Sequence, residues 1–122
     1  MSIRTQMRKG LLDACILSII QSQPVYGYEL SKKLNDFQFT EVSEGTIYPI
    51  LLRLLNKEFI YSEVKPSEQG PKRKYYFITE KGEEELEIVT GEWNKIKGPI
   101  DELLTRSVDY DANNKTTDWF EQ

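Results

Sequence analysis

An apolar repeat in the last third of the chain constrains the fold more than any other feature. Apolar side chains recur there at alternating spacings of three and four residues: Leu86, Val89, Trp93, Ile96, Ile100 and Leu103. This spacing is typical of a helix whose apolar stripe packs against a second helix, as in a coiled coil. We therefore expect a long helix over about residues 80–107 that pairs two copies of the chain, with a kink or a split at Gly98-Pro99.

The N-terminal part predicts two further helices. Residues 7–21 form the first, and its apolar side chains cover nearly the whole circumference, which is more than one small domain can bury. The spare face should meet another subunit or a ligand cavity, and we assign Leu12 and Ile16 to the dimer interface. Pro24 ends this helix, Gly27 is interpreted as permitting a tight turn, and a short second helix follows over about residues 28–35.

A third helix is expected over residues 43–57, with Ser43 as its N-cap. Its buried stripe repeats with a period of 3.6 residues and consists of Ile47, Ile50, Leu51, Leu54 and Leu55. Its opposite face carries Thr46, Pro49 and Arg53. Pro49 removes one backbone donor, so we expect a bend in the first turns.

Two segments rich in strand formers follow, residues 59–65 and 73–79, joined by a loop containing Pro66, Gly70 and Pro71. Basic residues flank this hairpin: Lys65, Lys72, Arg73 and Lys74. Thr79 is the expected cap of the last helix.

Composition excludes several classes of function. The 122 residues contain no histidine and one cysteine, which removes the commonest general base, the commonest metal ligand and an internal disulfide. No phosphate-binding or dinucleotide motif is present. We therefore expect no enzyme, no cofactor and no metal site, and interpret Cys15 as a small buried hydrophobic residue.

The longest apolar stretch, residues 11–20, is interrupted by Asp13 and Ser18 and is too short to span a membrane. Polar residues follow it instead of an export cleavage site. The single cysteine also agrees with a reducing compartment, so the expected location is the cytoplasm.

The net charge of −4 is unevenly distributed. Residues 1–81 contain 12 Lys or Arg and 9 Asp or Glu, whereas residues 82–122 contain 4 and 11. An acidic total argues weakly against a nucleic-acid partner, but local distribution matters more.

The order of elements predicts a mainly α fold with a two-stranded β-wing: a winged helix-turn-helix plus a long C-terminal dimerisation helix. Residues 1–81 would form the DNA-binding domain, 82–107 the dimerisation helix and 108–122 a mobile tail. In such folds the second helix of the pair enters the major groove. The partner would be double-stranded DNA with a pseudo-palindromic site. The candidate contacts are Lys32, Thr46, Tyr48, Pro49, Arg53, Lys65, Lys72, Arg73 and Lys74.

Several of these residues have a second interpretation. Tyr48 could be a core aromatic, since it adjoins Ile47, although its polar tip can reach outward. Thr46 and Pro49 could serve helix capping, and Arg53 could bind a phosphate or pair with a glutamate. The basic residues of the hairpin could be no more than a solvated face.

Three stretches resemble the PadR family of regulators. They are Tyr26-Gly27-Tyr28-Glu29-Leu30, then Gly45-Thr46-Ile47-Tyr48-Pro49 with Arg53-Leu54, then Gly70-Pro71-Lys72-Arg73-Lys74-Tyr75-Tyr76 with Thr79-Glu80-Lys81-Gly82. Their order and spacing match the smaller members of the family over about residues 8–104. The resemblance implies a homodimeric repressor, of a kind that often lies beside transporter genes and releases DNA when a ligand binds.

Some relatives hold flat aromatic drugs in a pore at the dimer interface, against a tryptophan of the last helix. Trp93 occupies the matching place, and the matching pore-lining residues are Met7, Asp13, Ala14 and Ser18. Lys97 stands where drug-binding relatives carry an acidic residue, so an anionic or neutral planar ligand is as compatible as a cationic one. Two alternatives remain: a winged-helix module that binds protein, and a repressor without a small-molecule ligand.

Overall fold

The computed structural model describes residues 2–39, 42–67 and 70–106. Within these ranges the elements are α1 (Ile3–Arg8), α2 (Leu12–Ser22), β1 (Val25–Tyr26), α3 (Gly27–Asp36), α4 (Glu44–Asn56), β2 (Ile60–Ser67), β3 (Gly70–Ile78) and α5 (Glu80–Thr105). The helices α3 and α4 form a helix-turn-helix and the β2–β3 hairpin is the wing. The predicted winged helix-turn-helix with a long C-terminal helix is therefore confirmed. No helix in the described ranges has both the length and the apolar character needed to cross a bilayer.

The first predicted helix is in fact two. The prediction of one helix starting at Met7 was wrong, because α1 ends at Arg8 and α2 begins at Leu12. Gly10 lies at the break, and glycine costs about 1 kcal/mol relative to alanine inside a helix. The short α1 is capped by Ser2, whose hydroxyl accepts a hydrogen bond from the Thr5 amide at 3.1 Å.

The core lies between α2, α3, α4 and the sheet. Its fully buried members include Ile16, Leu17, Ile20, Val25, Leu30, Leu34, Ile47 and Leu51. The apolar stripe predicted for α4 is confirmed, with Leu55 half-buried at its edge. Ile16 is completely inaccessible within one chain, so its assignment to a dimer interface was wrong. Leu12 is half-buried against the same core.

The sheet has three strands in the order β1-β3-β2, whereas the sequence predicted two. The additional strand pairs antiparallel with β3, with Val25 opposite Tyr76 and Tyr26 opposite Tyr75. A strand of two residues is too short to show a periodic pattern. The strands of the wing also run closer to the tip than predicted, and Pro66 lies at a register irregularity between Lys65 and Ser67.

Helix α5 begins where the sequence places it. Thr79 caps it, since its hydroxyl accepts a hydrogen bond from the Gly82 amide at 3.0 Å. The helix contains Pro99 without being divided there and ends at Thr105. The described residues fall into two compact units that separate between Val89 and Thr90. The proposed domain boundary at 81/82 stays a prediction, and the proposed tail, 108–122, lies outside the described residues.

Gly82 permits a close contact at the start of α5. It is buried, and a Cβ added to it would overlap the carbonyl oxygen of Phe59 and lie 2.9 Å from Cγ1 of Ile78. The first turn of α5 therefore lies directly on the backbone that joins α4 to β2.

We predict that Gly82→Ala lowers the free energy of unfolding by about 1–3 kcal/mol, because the obstructing atom is backbone and cannot rotate away. Gly91→Ala is the matched control, since nothing lies within 4 Å of its added Cβ and helix propensity should raise stability by about 1 kcal/mol. Urea unfolding at one fixed protein concentration measures both. Equal stability of the Gly82 variant and the parent would contradict the contact.

Candidate nucleic-acid interface

A cleft of about 380 Å³ opens where the start of α3, the start of α4 and strand β3 meet. Its lining residues are aromatic, basic or glycine: Tyr26, Gly27, Tyr28, Tyr48, Lys72, Arg73, Lys74 and Tyr76. We call this surface the basic cleft. Three cations and no carboxylate line it, so its local charge is positive although the chain as a whole is negative.

Tyr48 lies on the surface and not in the core. Its side chain is 49% exposed while the neighbouring Ile47 is fully buried, so the interpretation of Tyr48 as a core aromatic was wrong. Its ring lies against the first residue of α3, where a Cβ on Gly27 would stand 2.5 Å from the Tyr48 hydroxyl. Among the described residues no glycine has positive φ. Gly27 is thus needed for this close approach, and its interpretation as a turn residue was wrong.

The exposed face of α4 carries Thr46 and Pro49 beside Tyr48, as the sequence predicts. Ser43 is the N-cap residue, but its side chain makes no capping hydrogen bond to the helix backbone; its hydroxyl lies 3.5 Å from that of Thr46. These hydroxyls are therefore exposed at the end of α4 that borders the basic cleft.

Arg53 makes a contact that the sequence did not identify. Its guanidinium donates two hydrogen bonds to Asp13 of α2, from Nε to Oδ2 at 2.8 Å and from Nη2 to Oδ1 at 2.7 Å. This bonding, with the attraction between the two charges, raises the pKa of Arg53. Of the two interpretations of Arg53, the ion pair is the one observed, with an aspartate instead of a glutamate.

Aromatic rings hold the outer cations of the wing. The Lys65 ammonium lies 5.0 Å from the Phe77 ring centre, and the Arg73 guanidinium lies 4.4 Å from that of Tyr26. Such cation–π contacts contribute about 0.5–1 kcal/mol at exposed sites and favour these positions of the two charges. Lys65 and Arg73 are also direct cross-strand partners, an arrangement of like charges that is unfavourable unless an anion relieves it.

Sequence reasoning missed four members of the basic cleft: Tyr26, Gly27, Tyr28 and Tyr76. Burial, and to a lesser degree Tyr48, raises the pKa of the Tyr76 hydroxyl. Interleaving of aromatic and basic residues was the available signal. Lys32 is exposed near this surface, with its ammonium 5.4 Å from the Tyr28 ring.

Of the residues matched to a ligand pore, three line pockets of the first compact unit. Asp13 and Ala14 line a pocket of about 110 Å³ that also includes Leu86 and Val89. Ser18 lines a different pocket of about 190 Å³, beside Cys15 and among apolar residues. Met7 is 69% exposed. Trp93, 40% exposed, and Lys97 lie in the second compact unit.

Cys15 is half-buried, and this burial raises the pKa of its thiol despite the nearby charge of Arg8. The thiol therefore remains protonated at neutral pH, as expected of a small hydrophobic residue. No group of metal-ligating side chains occurs among the residues that the structure describes.

Comparison with known proteins agrees with this geometry. The model of the transcriptional regulator PadR-like family matches residues 16–88. A PadR-like transcriptional regulator from Bacillus cereus is 51% identical, with 84% of this chain and 99% of that chain covered and a TM-score of 0.77. A protein of Lysinibacillus sphaericus, itself uncharacterised, is 36% identical over 104 residues, which cover 81% of this chain and 93% of the relative.

The fold and these matches define a transcriptional regulator of the winged-helix class, and therefore not an enzyme. The chain belongs to the PadR-like family. PadR of Bacillus subtilis, whose structure is in complex with operator DNA, is similar in fold, with a TM-score of 0.60 at 24% identity. The match covers 66% of this chain and 45% of that one.

Proposed function

We propose that this regulator is a repressor that binds double-stranded DNA through α4 and the wing. The observation that carries the proposal is the basic cleft, in which three cations and no carboxylate lie beside the exposed face of α4. A helix that enters the major groove and a basic hairpin that follows the backbone are the parts such binding requires. The Bacillus subtilis protein of similar fold, whose structure is in complex with operator DNA, supports DNA as the partner.

The proposed contacts to DNA are of two kinds, those to bases and those to phosphates. Thr46 and Pro49 lie where they can reach base edges and thymine methyl groups. The Tyr48 hydroxyl and the cations of the basic cleft are suited to phosphate, and such contacts fix position instead of reading sequence. Lys65 and Lys32 would add phosphate contacts at the margins of the basic cleft. Arg53 is not included, because its guanidinium is already paired with the Asp13 carboxylate.

An apolar face of α5 supports homodimerisation. Within one chain Trp93, Ile96, Ile100 and Leu103 are between 40% and 62% exposed. A contiguous apolar patch of this kind marks an interaction surface, and the three-and-four spacing suits an identical helix. Two copies would present two α4 helices to successive major grooves about 34–36 Å apart on a pseudo-palindromic operator.

Relief of repression would come from a small planar aromatic molecule held between the two Trp93 rings. Lys97 follows Trp93 by one helical turn and is exposed, so a neutral or anionic ligand is as compatible as a cationic one. The ligand would act by preferring a dimer arrangement in which the two α4 helices no longer fit the operator. DNA must then weaken ligand binding by the same factor.

The rival function is a protein-binding winged helix, which the net charge of −4 favours. A gel shift with the DNA upstream of the protein's own gene decides between the two. Specific retardation supports the repressor, and its absence at low salt supports the rival.

We predict that Lys72→Ala reduces the slope of log affinity against log salt concentration by about 1 per subunit, with no change in sequence preference. Arg53→Ala is the control: it removes the same charge, but that charge already lies against Asp13, so the slope should stay unchanged. Fluorescence anisotropy across a salt series measures both. An unaltered slope for Lys72→Ala would exclude it as a phosphate contact.

For the dimer, Ile100→Glu should produce monomers and abolish operator binding, because a carboxylate would be buried in the interface without a partner. Asn94→Glu introduces the same group outside the apolar face of α5 and should leave the dimer intact. Sedimentation velocity distinguishes the two forms. A dimeric Ile100→Glu protein would place the interface elsewhere.

For the ligand, a planar aromatic compound should quench the fluorescence of Trp93 in a Trp119→Phe background, where Trp93 is the single tryptophan. Calorimetry should show that Trp93→Ala weakens binding at least tenfold, since the ligand loses a stacked tryptophan on each of its two faces. Undiminished affinity in Trp93→Ala would remove the stacking arrangement.

A further inference from the structure

We infer that Gly27 is a positioning residue for DNA binding: its missing Cβ leaves the space in which the Tyr48 ring lies across the start of α3. The inference rests on the proposed function, because it concerns how one phosphate-binding hydroxyl is held in the basic cleft. Gly27 itself would touch no DNA.

The geometry of this contact is specific. A Cβ on Gly27 would lie 2.5 Å from the Tyr48 hydroxyl oxygen, 2.8 Å from Cζ and 3.0 Å from Cε1. All three atoms belong to the far end of one side chain, and none to backbone. An alanine here would therefore move the ring instead of forcing the helices apart.

The surroundings explain why the ring can move and why its position matters. Tyr48 is half exposed, so a displaced ring has solvent to enter. In its present place the ring borders Lys72, Lys74 and Tyr76 across the basic cleft. A phosphate held there could accept the Tyr48 hydroxyl proton in a hydrogen bond while it contacts the lysines, and a displaced ring would lose that geometry.

Gly82 shows the contrast within the same chain. A Cβ there meets backbone of the α4–β2 connection, so alanine at Gly82 should cost stability. Alanine at Gly27 should chiefly cost function. The same substitution at two buried glycines therefore separates a packing role from a positioning role.

The test is a double-mutant cycle in operator affinity with Gly27→Ala and Tyr48→Phe. Each single variant should bind about 10- to 100-fold more weakly, the loss of one hydrogen bond to a charged group. The double variant should bind no more weakly than either, since both changes remove the same contact. Gly91→Ala, at a glycine with open surroundings, is the control and should bind like the parent.

A second cycle, in thermal stability, uses Gly27→Ala and Tyr48→Ala and needs no DNA. Because the displaced ring can enter solvent, Gly27→Ala should lower the melting temperature only slightly in the parent, and not at all in the Tyr48→Ala background, where the obstructing ring is absent. This cycle still reports on the contact if Gly27→Ala alone proves unstable.

Three results would overturn the inference. Gly27→Ala could bind the operator like the parent, the losses of the two single variants could multiply in the double variant, or Gly27→Ala could strongly destabilise the Tyr48→Ala background, in which no ring obstructs the added Cβ. Each leaves the proposed function standing, because the parent protein still binds DNA. If the parent protein itself binds no operator, the proposed function fails and the inference fails with it.

Discussion

Burial of one stripe of α4 determines how the rest of the molecule is used. Ile47, Ile50, Leu51 and Leu54 are almost completely removed from solvent, and each such side chain contributes about 1.5–3 kcal/mol. Because successive residues of a helix are about 100° apart, burying this stripe leaves Thr46, Tyr48 and Pro49 outside. Rotation of α4 by one residue would expose apolar residues of this stripe and bury the phenol of Tyr48, so the surface proposed to contact DNA follows from the core.

The short strand β1 then joins the two halves of that surface. Tyr26 pairs with Tyr75 of β3, and the very next residue, Gly27, begins α3. The hydrogen bonds of two residues thus hold the start of the helix-turn-helix beside the base of the wing. Together with the core, in which Tyr76 of β3 packs with the buried stripe of α4, this pairing brings Tyr48 and the lysines of β3 to one cleft.

The positive charge of the basic cleft follows from where the charged residues lie and not from the net charge of the chain. Residues 82–122 hold most of the excess carboxylates, while the basic cleft carries lysine, arginine and tyrosine. The cation of Arg53 lies on α4 but is paired within the chain, since both carboxylate oxygens of Asp13 accept hydrogen bonds from its guanidinium. Attraction at hydrogen-bond distance exceeds what a distant phosphate could offer.

The sequence by itself determined the helices with a clear apolar period, the basic hairpin and the cap at Thr79, since each depends on residues within a few positions of one another. Tertiary structure decided the rest. Because α2 is apolar on nearly every side, periodicity could not tell whether Ile16 faced the core or a partner. The Asp13–Arg53 pair spans forty positions. The contact at Gly27 exists only because another helix brings Tyr48 to it. Contacts between distant segments depend on how the helices and strands pack, and a local sequence pattern does not contain that information.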